Sequence, residues 1–298
     1  MKIIITGATG FVGSNLSKYL EDKGNIVGKL SLRNPEFTLN KNADVIIHLA
    51  GKAHDTANTS ADDEYFKVNR DLTIKLFDEF LNSEIKDFIF FSSVKATADT
   101  IEGILHENHP SDPKTPYGKS KFEAENYLFS KQLRENKRLF IIRPCMIHGP
   151  GNKGNLNLLY QMIRKGLPWP LAAFENKRSF LSIDNLSFLV SEIIEKKSLP
   201  SGVYNFADDQ AISTNQLVNL ISAGLGKKTK MWTLPKSIIL ALSKGGDVLK
   251  LPLNTERLSK LTDNYVVSNE KIKKALNIES LPLTTEEGII KTLKSFKK

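Results

Sequence analysis

Tyr117 and Lys121 stand four residues apart, and a strand ending on the hydroxyls of Ser92 and Ser93 precedes them by a single loop. A phenol and an ammonium at i and i+4 share one face of a helix, and hydroxyls at the carboxyl end of a buried strand are placed for chemistry. Spacing alone does not select this pair, because Tyr-x-x-x-Lys also occurs at Tyr19/Lys23 and Tyr127/Lys131. Tyr19 falls at the far end of the first predicted helix, and Tyr127 lies about 15 Å further along the helix that Tyr117 begins, at a rise of 1.5 Å per residue. Only Tyr117 falls near the carboxyl edge of a sheet, in a helix opened by Thr115 with Pro116 in its first turn. No metal site is expected.

Several strands must position these groups, and the first is the clearest. Lys2–Ser17 reads KIIITGATGFVGSNLS: Ile3, Ile4 and Ile5 form a β-branched run suited to a parallel strand covered on both faces, and Thr6 ends it. Gly7, Gly10 and Gly13 follow at a spacing of three, permitting a tight turn, close approach of a pyrophosphate, and close packing of helix on strand. Thr9, Phe11 and Val12 lie where free backbone amides would face the phosphates. G-x-x-G-x-x-G departs from the common G-x-G-x-x-G, but strand, turn and helix occur in the required order.

Asn25–Leu32 reads as the second strand, with no acidic residue at its end to hold an adenosine ribose; Arg33 stands where a 2′-phosphate would, which leans towards NADPH. The stretch from Arg33 to Asp44 is too short for a full helix and strand. Asp44–Gly51 is a third buried strand, whose ending Leu49, Ala50 and Gly51 would let a cofactor lie across it, with His48 expected as a satisfied core histidine. Lys52 and His54 follow on the substrate side. Phe66, Leu72, Leu76, Phe77 and Phe80 mark a packed helix with Asn69 on another face, Asp87–Ser93 is a further strand, and Val94–Thr115 is a long irregular loop. A last strand runs from Leu139 through Pro144, Cys145, Met146 and Ile147 to His148, its later part walling the nicotinamide and Cys145 serving as an apolar filler. Beyond Asn152 the alternation fades: Asn155 and Asn157 introduce an amphipathic helix, Arg178 suits bidentate phosphate binding, Tyr204–Phe206 is a short strand and Thr214–Gly224 a helix. The expected fold is α/β, a Rossmann-like doubly wound parallel sheet over residues 1–151 carrying the catalytic groups, with residues 152–298 a smaller substrate-binding region partly interleaved with it.

The 298 residues carry a net charge of +9, all of it in the second half, since residues 1–150 hold 20 Lys+Arg and 20 Asp+Glu. The lysines are scattered and lack interleaved aromatics, so nucleic acid is not expected as a partner. No apolar run reaches membrane-spanning length and no leader-like segment opens the chain, so membrane insertion is not expected. A single cysteine allows no internal disulfide and suits a reducing cytoplasm.

With Gly7-x-x-Gly10-x-x-Gly13, the HLAG strand end, Ser92–Ser93 and Tyr117-x-x-x-Lys121 in order, the chain resembles the extended short-chain dehydrogenases/reductases of the NAD-dependent epimerase/dehydratase family over nearly its whole length. Its Asn152–Leu186 stretch is most similar to bacterial nucleotide-sugar 4-ketoreductases. The resemblance implies that Tyr117 is the acid/base, that Lys121 holds the cofactor ribose and lowers the phenol's pKa, and that Ser93 hydrogen-bonds the substrate oxygen. It further implies that Asn69 holds the active-site backbone, that Pro144–Ile147 flank the nicotinamide, and that Asn155 and Arg178 meet the nucleotide diphosphate. Family dehydratases carry an Asp-Glu pair where this chain has Val94 and Lys95, so dehydration is not expected, and His148 replaces a tyrosine common before the Gly-Pro-Gly turn. The expected activity is NAD(P)H-dependent reduction of the C4 ketone of a UDP-4-keto-6-deoxy-N-acetylhexosamine. The alternatives are a UDP-sugar 4-epimerase using the same groups and a non-catalytic NADP-binding scaffold. The resemblance also implies a homodimer through the helices near Asp63 and Tyr117.

Overall fold

The computed structural model describes residues 1–34, 36–52, 61–152, 155–249 and 254–296. The chain opens with β1 (Lys2–Thr6), α1 (Phe11–Asp22) and β2 (Ile26–Leu30), then reaches β3 (Val45–His48) with no helix among the described residues between them. α2 (Asp62–Tyr65), a π-helical turn (Phe66–Asp71) and α3 (Leu72–Leu81) lead to β4 (Asp87–Phe91). A 3-10 turn (Val94–Ala96), β5 (Ile104–Leu105), α4 (Pro116–Ser130), β6 (Arg138–Pro144) and β7 (Met146–His148) follow. The second half holds α5 (Asn155–Arg164), β8 (Phe180–Ser182), α6 (Ile183–Glu195), β9 (Gly202–Phe206), α7 (Thr214–Gly224), α8 (Lys236–Leu249), α9 (Thr255–Thr262), β10 (Val266–Val267), α10 (Glu270–Leu276) and α11 (Thr285–Ser295).

Six strands pair in parallel in the order β2-β1-β3-β4-β6-β9. β2 lies on one side of β1 and β3 on the other, so the order reverses at β1, and the crevice past the carboxyl ends of β1 and β3 is where such sheets take ligands. Alternate residues fill two separate cores. Ile3, Ile5, Ile47, Ile89 and Ile142 pack with Leu16 of α1 and Leu189 of α6 on one face. Ile4, Ile46, Phe88 and Ile141 pack with Phe77 of α3 and Leu128 of α4 on the other. Both faces of the sheet are covered, which is why its strands read as unbroken apolar runs. A third core, including Leu159, Phe180, Leu217, Ile239 and Leu293, binds the second-half helices together.

Four readings of the sequence are corrected. The strand from Leu139 does not run through to His148: β6 ends beside Phe206, the end of its partner β9, and Met146–His148 pairs instead with β8. The alternation does not fade after Asn152, because β8, α6 and β9 continue it and β9 joins the main sheet. α6 escaped notice because it is apolar around most of its circumference, with Ile183, Leu186, Leu189, Val190, Ile193 and Ile194 all buried. The Val94–Thr115 loop carries β5, which pairs with β10 from near the end of the chain. Finally, the helix from Phe66 begins with a π turn, whose extra residue per turn makes the apolar spacing only roughly helical and turns Asn69 into the interior.

Candidate active site

The glycine turn is built so that side chains are excluded from it. Gly7 has φ +68°, and a Cβ there would lie 2.7 Å from the Ala50 nitrogen. A Cβ at Gly13 would stand 2.2 Å from the Gly7 carbonyl oxygen, so helix and turn touch backbone to backbone. Gly10 caps α1 without a side-chain hydrogen bond, leaving the amides of its first turn, Phe11 and Val12 among them, to an anion. A Cβ at Gly51 would meet Asn69 Oδ1 at 2.9 Å and Lys121 Nζ at 3.2 Å, so the strand end forms a cradle beside both side chains. This combination of positive φ, uncapped helix start and side-chain-free cradle fits a dinucleotide.

His48 belongs to the support of that cradle. Thr6 Oγ1 accepts from Ala50 N at 3.1 Å and is 2.7 Å from His48 Nδ1; His48 Nε2 is 2.8 Å from Thr73 Oγ1, which donates to the Asn69 carbonyl. Thr73 spends its only proton on Asn69, so His48 must donate from Nε2 and accept at Nδ1. Burial, with Lys121 adding to it, lowers the imidazole to about 3, and the ring stays neutral. Asn69 Oδ1 accepts from Lys52 N at 2.7 Å, and its Nδ2 donates to Lys52 O and to Ser120 Oγ.

Ser93, Tyr117 and Lys121 come together. Ser93 caps the 3-10 turn, accepting from Lys95 N, and its hydroxyl hydrogen-bonds the Tyr117 phenol. Lys121 is buried, donates to the Phe91 carbonyl at 2.8 Å and lies 4.8 Å above the Phe90 ring. Burial pulls this ammonium down to about 8, opposed by Glu125. The resemblance implied that Lys121 lowers the phenol; here burial pushes Tyr117 up, and the influence opposing it is the Ser93 hydroxyl. The cause is desolvation, which penalises the phenolate.

The other predicted residues lie around this centre. Ser92, expected on the cofactor, gives its hydroxyl to the buried Glu125 carboxylate, which also pairs with Arg143. Lys52 pairs with Glu64 and lies over Tyr65. Arg33 is exposed just past β2. His54, like the side chain of Asn155, lies outside the described residues, and Thr9 is exposed in the turn. Pro144 ends β6, Met146 and Ile147 pair with β8, and Leu49 N donates to Thr6 O. Cys145 is buried, and burial raises its thiol well above the usual range, in keeping with an inert filler.

Arg178 opens a second part of the site. It lines a cleft with Met146, Phe180, Leu217, Lys260 and Leu261, donates to the Asp263 carbonyl at 3.0 Å and stands 6.0 Å from the Tyr265 ring. The same ring carries Lys95, whose Nζ is 4.3 Å from its centroid and donates to Asp99 O at 2.6 Å. Burial lowers Lys95 to about 8, with Arg178 and Lys260 adding to the effect and Asp99 opposing it. Lys95 and Arg178 thus converge on one tyrosine, and Lys260 lines the same cleft as Arg178 while pairing with Glu256. In the sequence Lys95 shows only as the absence of a carboxylate, and neither Lys260 nor Tyr265 falls in any motif.

The family model described as NAD dependent epimerase/dehydratase family matches residues 3–207. The chain belongs to that family. This epimerase/dehydratase family chain is 32% identical to a UDP-glucose 4-epimerase of Vibrio cholerae, over 99% of this chain and 95% of the relative. It is 29% identical to an N-acetyl-alpha-D-glucosaminyl-diphospho-ditrans,octacis-undecaprenol 4-epimerase of Escherichia coli O157:H7, over 98% and 94%. A solved UDP-glucuronic acid 4-epimerase of Bacillus cereus, in complex with NAD, matches all of this chain and 99% of its own at a TM-score of 0.77 and 17% identity, a likeness of fold. As a member of that family the chain is an NAD-dependent enzyme of the epimerase/dehydratase type. No described helix is long and apolar enough to cross a membrane.

Proposed function

We propose that the chain interconverts the C4 epimers of a hexose or N-acetylhexosamine carried on UDP, through a 4-keto sugar. The observation that carries this reading is the Ser93–Tyr117 hydrogen bond one helical turn from the buried Lys121, at the edge of a dinucleotide cradle. Full-length likeness to two proteins named as 4-epimerases favours epimerisation over the net reduction expected from the sequence.

The Gly7–Gly13 turn, the Leu49–Gly51 strand end and Lys121 would hold NAD, which would supply the hydride chemistry at C4. Tyr117 as the phenolate takes the proton of the C4 hydroxyl in one half-reaction, and as the phenol it gives that proton back in the other, so one oxygen serves both directions. Ser93 donates to the same oxygen and fixes it against the phenol. The Lys121 ammonium holds positive charge beside the cradle. Val94 and Lys95 offer no carboxyl for eliminating water. Between the halves the keto sugar must present its other face, which suits a diphosphate held by Arg178 and Lys260 and a sugar resting on the apolar side chains of Met146, Phe180 and Leu217.

The test is incubation of the purified enzyme with UDP-glucose and UDP-N-acetylglucosamine, without added reductant, followed by proton NMR. Appearance of the 4-epimer supports the reading. Failure of every UDP-sugar to interconvert, together with stoichiometric NADPH oxidation on a UDP-4-keto sugar, would establish the reductase instead. The observation favouring that second reading is Arg33, an exposed guanidinium just past β2 where no acidic residue stands to select NAD.

A further inference from the structure

The helix α8 (KSIILALSKGGDVL) packs on the protein through a narrow strip, Ile239, Ser243 and Gly246. Its remaining surface is open, and one side of it is apolar. Ile238, Ala241, Leu242, Gly245, Val248 and Leu249 are all exposed at i, i+3, i+4, i+7, i+10 and i+11, one continuous stripe along one side of the helix. Its large members are far from covered: Ile238 is 51% exposed, Leu242 56%, Val248 81% and Leu249 69%. Exposed large apolar groups scattered singly are ordinary, but a stripe along one helix marks a docking surface.

The charge around this stripe says what covers it. Residues 225–262 hold eight Lys+Arg against two Asp+Glu, a net +6 out of the chain's +9. Lys236 and Lys244 lie on α8 itself, and both are exposed. Its one acidic residue, Asp247, is engaged by the Thr255 backbone and hydroxyl. Trp232, 55% exposed, stands just ahead of the helix. An apolar stripe flanked by lysines, with an indole at one end, is the pattern of a helix lying in the plane of a lipid surface.

We propose that α8 docks this enzyme reversibly onto an anionic lipid bilayer, with Ile238, Leu242, Val248 and Leu249 entering the headgroup boundary and Lys236 and Lys244 meeting the acidic headgroups. α9 lies against α8 and supplies Lys260 and Leu261 to the Arg178 cleft, so the docked enzyme carries one wall of that cleft next to the membrane surface. The proposal stands apart from the assignment of the reaction.

Co-sedimentation with vesicles of phosphatidylglycerol mixed with phosphatidylcholine, against phosphatidylcholine alone, tests it. The whole enzyme should partition onto the anionic vesicles and be released by salt, because lysine attraction is screened within a Debye length. Leu242→Glu with Leu249→Glu should weaken that binding at least about tenfold, and Lys236→Glu with Lys244→Glu should weaken it by a similar factor. Circular dichroism and turnover of a soluble UDP-sugar should not change in either variant. Absence of binding to anionic vesicles would overturn the proposal, as would binding that neither variant weakens. So would sedimentation velocity showing that the stripe is sealed in a dimer which the leucine variant splits.

Discussion

Asn69 closes on the backbone of Lys52 from both sides, its Oδ1 accepting from the Lys52 N–H at 2.7 Å and its Nδ2 donating to the Lys52 carbonyl at 3.1 Å. The pairing fixes the chain just past β3, where Gly51 borders Lys121. Asn69→Ala should cost about 1–3 kcal/mol, the penalty for leaving such backbone groups without partners, and should weaken NAD binding more than substrate binding. Asn69→Asp keeps the acceptor and should fall between. Urea denaturation and NAD titration read both effects.

Glu125 and Arg143 form an ion pair almost wholly out of solvent, joined by Ser92. Glu125→Gln strands a buried guanidinium and should destabilise the fold by about 3–5 kcal/mol. Replacing both members by methionine should cost less than either single change, which a double-mutant cycle in thermal unfolding will show.

The parts of this site that the sequence displayed are those set by local rules. The glycine turn, the strand ends and Tyr117-x-x-x-Lys121 each lie within one segment, and their periods and spacings survive folding. The contacts joining segments left no such trace. Glu125 lies on the Tyr117–Lys121 face at i+8, a hint that could have been used, but its partner Arg143 comes from another strand. Lys95 and Arg178 meet at Tyr265, just ahead of β10, which returns to pair with β5 through two residues from each strand. Asn69 looked as if it stood on the wrong face because its turn is a π turn rather than an α turn.

Gly13 and Gly10 should respond differently to alanine. A Cβ at Gly13 meets backbone at 2.2 Å, whereas one at Gly10 meets its nearest atom, Gly7 O, at 3.3 Å. Gly13→Ala should therefore abolish retention of NAD during purification, and Gly10→Ala should only weaken it. Absorbance of cofactor released from the denatured enzyme measures this.

Stability should rise with pH as Lys121 is relieved of its charge. Its folded value near 8 lies below the ordinary 10.5, so between those values the unfolded chain binds more protons. The contribution approaches about 3 kcal/mol across that window and is absent below it. Above pH 10 Tyr117 and Tyr265, whose phenols desolvation holds neutral in the fold, reverse the trend. In Lys121→Met the rise between pH 8 and 10 should flatten, as read by denaturant midpoints.

Ser93→Ala should lower kcat by about 10²-fold, as when one donor is removed from a developing oxyanion. Tyr117→Phe should lower it by about 10²–10⁴-fold with little change in melting temperature, because it removes the proton carrier.

The most direct measurement uses a UDP-sugar with deuterium at C4, incubated with the purified enzyme in ordinary water and without added cofactor. The expected product is a 4-epimer that keeps its deuterium at C4, since the hydrogen leaves and returns within one active site while only the hydroxyl proton passes through Tyr117. An epimer that has lost the label to solvent, or no epimer under conditions where NADPH is consumed by a 4-keto sugar, would contradict it.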